Sequence, residues 1–186
     1  LILPSQIDTL IADCGSWIDF RDLASRQKNT TDMGDLFERL TQLYLQTHPT
    51  YRSKIKNVWW CNNGELPEHI QKKLGLDILP SEYKDEGIDL ICETFDEEYW
   101  SVQSKYRSDS DPSLPSEELA TFQRLSFLVA KKISLGLIVH TQAKKIKKTY
   151  LMGNTVELGL QHWLDITDGQ WDQILDVCRG NLLQPP

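Results

Sequence analysis

The sequence predicts an α/β domain with a mixed central β-sheet flanked by helices, and three observations carry that expectation. Helical and strand periodicities follow one another in the order α, β, α, β, β, α, β, α. Two strand-like runs, IDLICET and YWSVQSKY, are separated only by FDEE, which marks an antiparallel hairpin. The run LGLIVH is continuously apolar, as a strand covered on both faces should be.

SQIDTLIADC reads as a short helix with Ser5 as its N-cap, and a polar connector follows to about Thr30. Thr31 caps a strong helix, DMGDLFERLTQLYLQTH, in which Met33, Leu36, Phe37, Leu40, Leu43 and Tyr44 recur at helical spacing until Pro49 ends it. SKIKNVWWC is rich in β-branched and aromatic residues and reads as a strand. ELPEHIQKKLG is expected to be a short helix stopped by Gly75, and Asp77–Gly87 an acidic loop. After the hairpin and the loop RSDSDPSLP, SEELATFQRLSFLVAKK is a second long helix, capped by Ser116 and striped with Leu119, Phe122, Leu125, Phe127 and Val129. The LGLIVH strand, a basic segment QAKKIKKTY without clear periodicity, a short strand HWLDIT and a final helix DGQWDQILDVC complete the chain.

The chain has 186 residues, 40% hydrophobic and 25% charged, which suits a folded domain and excludes a disordered one. No apolar run approaches the roughly 20 residues that span a bilayer, and LILPSQIDTL has no basic segment before its apolar stretch, so neither a membrane span nor a signal peptide is expected. Cys14, Cys61, Cys92 and Cys178 are scattered, which fits a reducing cytosol better than a disulfide framework or a zinc site. An opening Leu1 rather than Met is expected of a fragment of a longer polypeptide. The net charge of -7 argues against a non-specific polyanion binder. It is unevenly spread, however. Residues 119–156 hold no Asp or Glu but carry Arg124, Lys131, Lys132, Lys144, Lys145, Lys147 and Lys148, and the acid-free stretch 39–64 carries Arg39, Arg52, Lys54 and Lys56. Such segregation suits one face meeting a polyanion, although a solvated lysine-rich surface would look the same.

Chemistry concentrates in the hairpin. Strand alternation puts Tyr99, Ser101, Gln103 and Lys105 on one face and Trp100, Val102, Ser104 and Tyr106 on the other. Laying Ile88, Leu90 and Cys92 over Trp100 and Val102 then forces Asp89 onto the side of Gln103 and Lys105. A two-residue turn at Asp96-Glu97 would set Ser104 opposite Asp89, so this pairing demands an odd-length loop or a bulge. An Asp and a Gln carbonyl are hard oxygen ligands suited to Mg²⁺, and an adjacent Lys can orient a water or stabilise transition-state charge, which together suffice to hydrolyse a phosphodiester. A Q-x-K on a strand is also common surface decoration, and spacing alone leaves both readings open.

The segments D-E-G-I-D-L-I and Y-W-S-V-Q-S-K-Y resemble the core of the Mrr-like branch of the PD-(D/E)xK nuclease superfamily, over roughly Gly34 to Thr141. They resemble above all the nuclease domains of helicase- and methyltransferase-fused restriction enzymes. The resemblance implies a restriction-endonuclease-like core in which Asp89 is the metal-binding Asp, Gln103 replaces the usual acid and Lys105 is the catalytic Lys. It also matches Gly34 and Glu38 to a family pattern that supplies a metal-linked Glu from the first core helix. At about 100° per residue, Glu38 lies roughly 160° from the mean of the apolar stripe. Either that helix is buried on two sides, with Gly34 allowing close approach to the site, or Glu38 is a plain solvated residue.

The expected activity is therefore that of a metal-dependent endonuclease domain acting on double-stranded DNA, in a bacterial, cytoplasmic restriction or defence enzyme. Its cofactor would be Mg²⁺ or Mn²⁺, held by Asp89, Gln103 and Glu38. Its partners would be DNA and fused or associated helicase/translocase and methyltransferase modules, with no membrane. Lys131, Lys132, Thr141, Lys144 and Lys145 are expected to contact DNA phosphates. Residues 1–30 would be a helical extension and 31–186 the nuclease domain. The competing readings are a catalytically inactive nuclease-fold module that binds DNA or protein, and a junction resolvase-like enzyme. His48, His69, His140 and His162 show no ligand spacing and read as structural. One ring of Trp59-Trp60 belongs to the core, and Asp85 and Glu86 belong to the solvated acidic loop.

Overall fold

A computed structural model describes residues 3–78 and 87–181. Five strands, β1 (Ile55–Trp60), β2 (Leu90–Thr94), β3 (Tyr99–Lys105), β4 (Ile133–His140) and β5 (Thr155–Leu158), lie side by side in that order in one sheet. β1, β2 and β3 are antiparallel neighbours, while β4 and β5 run parallel to β3, so the sheet is mixed as expected. Each parallel step needs a crossover. The first holds the helix Glu117–Arg124, and the second is the basic segment 141–154, which contains a single 3₁₀ turn, Lys148–Tyr150.

The helices in chain order are α1 (Pro4–Ala12), α2 (Trp17–Ser25), α3 (Thr30–Thr47), α4 (Pro49–Arg52), α5 (Glu68–Leu74), α6 (Glu117–Arg124), α7 (Leu160–Leu164) and α8 (Asp168–Cys178). One core joins α1, α2, α3, α7 and α8 to Val58, Trp60, Leu90, Cys92, Val102, Leu137, Val139 and Leu158 on one face of the sheet. A second core lies on the other face, where Ile91, Tyr99 and Ile138 meet α5 and α6. Trp163 of α7 stacks on Trp17 of α2 with ring centroids 5.2 Å apart and lies against Phe37 of α3, also at 5.2 Å. Ring contacts of this kind contribute about 0.5–1.5 kcal/mol each beyond their area.

Several expected elements differ in detail. The connector to Thr30 contains α2, because Trp17, Phe20 and Ala24 place one apolar face against the core, and Ser16 caps it by accepting from Asp19 N–H at 3.3 Å. Leu3, not Ser5, is the N-cap of α1, and Asn29, not Thr31, caps α3 by accepting from Asp32 N–H at 2.7 Å. Ser116 does not cap α6 with its side chain. That helix is α-helical only to Arg124 and widens into a π turn, Leu125–Val129, closed by Ala130 N–H on Leu125 O at 2.7 Å. There Ser126 turns inward, its hydroxyl donated to from Ser101 Oγ across 2.7 Å. The segment HWLDIT is not a strand: Leu160 and Trp163, three residues apart, share the inward face of α7, and Leu164 is exposed. The last strand is instead the short β5. Most of the acidic loop expected over Asp77–Gly87, with Asp85 and Glu86, lies outside the described residues.

Candidate active site

The site starts from the hairpin register. Leu90 pairs with Val102, Ile91 with Ser101, Cys92 with Trp100 and Glu93 with Tyr99. Thr94 N–H then donates to Glu98 O at 2.9 Å, leaving a three-residue loop, Phe95–Glu97, in which Glu97 is left-handed with φ 61°. Three-residue hairpin loops commonly end on a left-handed residue of this kind. The loop is thus odd-length, and the ladder runs to Leu90–Val102, just short of Asp89 and Gln103. The ladder is distorted at that rung, since Asp89 N–H also donates to Val102 O at 2.9 Å. The next donor, Ser104 N–H, is taken by Asp89 Oδ2 at 2.6 Å. That bond aims the carboxylate along the end of the sheet.

Glu38 reaches the same place from α3. This helix lies between the sheet and α1, α2 and α8, so residues around most of its circumference are buried, among them Phe37, Glu38, Leu40, Thr41 and Leu45. The two-sided reading of the helix is therefore the correct one. Glu38 Oε2 accepts both Trp60 Nε1–H at 2.6 Å and Asn62 Nδ2–H at 3.1 Å. Gly34 does not serve close helix packing: a Cβ there meets nothing within 4 Å. It lines the pocket and keeps it open.

Glu38, Asp89, Gln103 and Lys105 line one open pocket of about 410 Å³, together with Gly34, Asn62, Arg107, Glu118 and Thr121. Asp89, Gln103 and Glu38 are buried. Burial chiefly pushes both carboxyls up, Asp89 to about 6 despite the Ser104 N–H and the Lys105 charge, and Glu38 to about 8 with further repulsion from ionised Asp89. Asp89 thus ionises first and Glu38 second. No described residue donates to the other oxygen of either carboxylate, and the buried Gln103 Oε1 has no hydrogen-bond partner. Two carboxylates repelling one another beside an orphaned amide oxygen are hard-oxygen donors of the kind that suits a divalent cation. Among the described residues no cluster of three or more His, Cys, Asp or Glu is arranged to hold a metal, so a cation here would draw on the amide oxygen and solvent as well. The Lys105 amine makes no ion pair with a described residue and stands at the pocket's end of β3.

A family model described as restriction endonuclease, Mrr_cat_2, matches residues 46–173. The chain belongs to this Mrr-type restriction endonuclease family. The ATP-dependent Type ISP restriction-modification enzyme LlaBIII, solved bound to DNA, shares the fold: TM-score 0.55 and 21% identity over 81% of this chain. The match spans 8% of that much longer chain. The comparison with curated proteins finds no match.

Within this nuclease domain, the residues expected to contact phosphates fall into three groups. Lys144 and Lys145 are exposed beyond the C-terminal end of β4, the end that carries the pocket. Lys131 and Lys132 are exposed at its N-terminal end, about 25 Å away along eight residues of strand, so the structure does not bring them to the site. Both belong to one charge block in the sequence, and only the strand between them separates their ends. Thr141 is buried, and its hydroxyl is committed to the Arg107 backbone, accepting from N–H and donating to O, each at 2.8 Å. It anchors the backbone of Arg107, which lines the pocket, and does not face solvent. His140 is structural: it is buried, donates from Nε2 to Glu157 at 3.0 Å and accepts Gln142 N–H on Nδ1 at 3.2 Å. Trp60 enters one core, and Trp59 packs at the margin of the other.

Sequence reasoning missed Asn62, Arg107 and Glu118. Asn62 sits in an ordinary turn after β1, and nothing in C-N-N-G distinguishes it. Arg107 follows the Q-x-K strand by two residues, and that proximity was the available signal. Among the described residues no helix is long and apolar enough to cross a membrane.

Proposed function

We propose that this domain hydrolyses phosphodiester bonds in double-stranded DNA with a divalent cation, Mg²⁺ or Mn²⁺, as part of a restriction enzyme. The observation that carries the reading is the convergence of Glu38, Asp89, Gln103 and Lys105 on one pocket, with the Gln103 amide oxygen buried and unpartnered. Asp89, Gln103 and Glu38 would hold the cation. Bound there, it supplies positive charge to the scissile phosphate and acidity to a water. Trp60 and Asn62 orient Glu38, and Ser104 N–H orients Asp89, so the carboxylates keep their direction without the cation. The Lys105 ammonium stabilises the extra negative charge of the pentacovalent transition state or orients the attacking water. Lys144 and Lys145 hold the DNA backbone, which positions the duplex without reading its sequence. Target choice therefore belongs to other modules, with helicase/translocase and methyltransferase partners as the proposed associates.

Plasmid cleavage in Mg²⁺ by the complete protein is the test, with Asp89→Ala and Lys105→Ala as variants. Both variants are expected to lose cleavage by at least about 10²-fold, the scale of removing one transition-state donor. Parental cutting by both overturns the site. Binding without cutting by the parent, at any cation, favours an inactive nuclease-fold module instead.

A further inference from the structure

We propose that Arg107 grips a backbone phosphate beside the reacting one, and that Glu118 is its built-in phosphate mimic, holding the guanidinium until DNA displaces it. The proposal rests on the nuclease reading above and deepens it.

Arg107 and Glu118 both line the pocket that contains Glu38, Asp89 and Lys105. Arg107 Nη2 is ion-paired with Glu118 Oε2, and the two side chains are 42% and 31% exposed. A nucleic acid entering here meets several carboxylates, and among the described residues lining the pocket only Lys105 and Arg107 answer them with positive charge. The two cations differ in kind. An ammonium is a point charge, whereas a guanidinium fork matches two oxygens of a carboxylate or a phosphate equally well. The Glu118 carboxylate meets the guanidinium through Nη2 alone, so it holds one of the contacts that a phosphate would take.

The backbone beneath Arg107 is held at both its N–H and its carbonyl, while its side chain remains partly exposed. Thr141 clamps Arg107 N–H and O through one buried hydroxyl, each bond 2.8 Å. Arg107 Nη1 also donates to its neighbour's carbonyl, Tyr106 O, at 2.9 Å. Next along, Ala143 N–H donates to Ser110 O at 2.9 Å, which ties the Arg107 loop to the segment carrying Lys144 and Lys145. A partly exposed ion pair in water is weak. Exchanging carboxylate for phosphate thus requires only side-chain rotation over a rigid base, and the released Glu118 turns to solvent. The pair keeps Arg107 over the pocket in the free protein.

The test is binding of a fluorescent duplex by the complete protein, by anisotropy in Ca²⁺ over a salt series, with cleavage followed in the same samples. Arg107→Ala is expected to weaken binding by about 10-fold and to lower the slope of log affinity against log salt by about 0.9, the signature of one lost phosphate contact. Arg107→Lys should restore the slope and only part of the affinity. Glu118→Gln should tighten binding by roughly 3-fold or more, and this gain should vanish in the Arg107→Ala background, since neighbours in one pair are not additive. Thermal melts check that each variant is folded. Parental affinity and slope in Arg107→Ala overturn the proposal and leave the nuclease reading intact. Weaker binding by Glu118→Gln overturns the mimic and makes Glu118 a mere support. If the parent binds no duplex at any salt, the nuclease reading itself fails.

Discussion

Glu38→Gln should make the metal-free protein more stable, and increasingly so as the pH rises. Both hydrogen bonds to Glu38 go to the same oxygen, Oε2, from Trp60 at 2.6 Å and Asn62 at 3.1 Å. A glutamine carbonyl placed there accepts both, and the amide on the other branch removes the repulsion with Asp89. Burial raises the Glu38 carboxyl from 4.5 to about 8 in the folded protein. A carboxyl with a higher pKa folded than unfolded contributes fully below its unfolded value, and stability falls as the pH rises towards its folded value. At roughly 1.4 kcal/mol per pH unit, the cost is near nil at pH 4.5, on the order of 3 kcal/mol at pH 7, and level above about pH 8. Glu38→Gln escapes that cost. Urea unfolding of parent and variant in EDTA from pH 5 to pH 9 measures it. The curves should coincide at the acid end and diverge in the variant's favour towards pH 8. Adding Mg²⁺ should close the gap from the parent's side, because a ligand at 100 times its Kd stabilises by about 2.7 kcal/mol, while the variant has lost a charged ligand. A variant less stable than the parent at pH 8, or a pH-independent difference, would refute the reasoning, since Glu38 would then be an ionised residue at peace with its surroundings.

Gly34→Ala should raise the melting temperature while lowering cleavage. The new methyl meets no atom within 4 Å and lies in an α-helix, where Ala outranks Gly by about 1 kcal/mol, yet it projects into the pocket; a variant with parental activity would remove Gly34 from the site. At Glu97, with φ 61°, substitution by Gly should be neutral to stabilising and Glu97→Val should cost about 1 kcal/mol. Because this residue sets the loop length that fixes the hairpin register leading to Asp89 and Gln103, equal urea midpoints and equal activities for the two would show that the turn does not control the register.

Legibility differed along the chain according to the range of the forces involved. Strand alternation, which is local, grouped Asp89 with Gln103 and Lys105, and all three line one pocket. Ile88, expected on the face of Leu90 and Cys92, instead joins the opposite core with Ile91, so the alternation breaks just before β2. The same logic foresaw the odd loop, now seen as Phe95–Glu97. Glu38 was undecidable from periodicity, since a helix with one apolar stripe looks identical whether its other side meets water or a second layer. Here that side meets more protein: Trp60 of β1 and Asn62 just after it donate to the Glu38 carboxylate, while α1, α2 and α8 cover the rest of α3. The short α7 was misread as a strand because five residues carry too few turns to show a period. Lys131 and Lys144 looked like members of one patch because chain proximity hides an intervening strand.

Periodicity and side-chain chemistry were enough for the mixed sheet, the hairpin, its register and the acid, amide and amine that meet on it. Those features depend on contacts between near neighbours in the chain. Packing across the molecule was needed to bury Glu38 beside Asp89, to turn Thr141 inward onto Arg107, to set Glu118 against that guanidinium, and to leave Gln103 Oε1 without a partner. Burial and charge coupling arise only when distant segments close around a point, and no local pattern in the chain encodes which segments those will be.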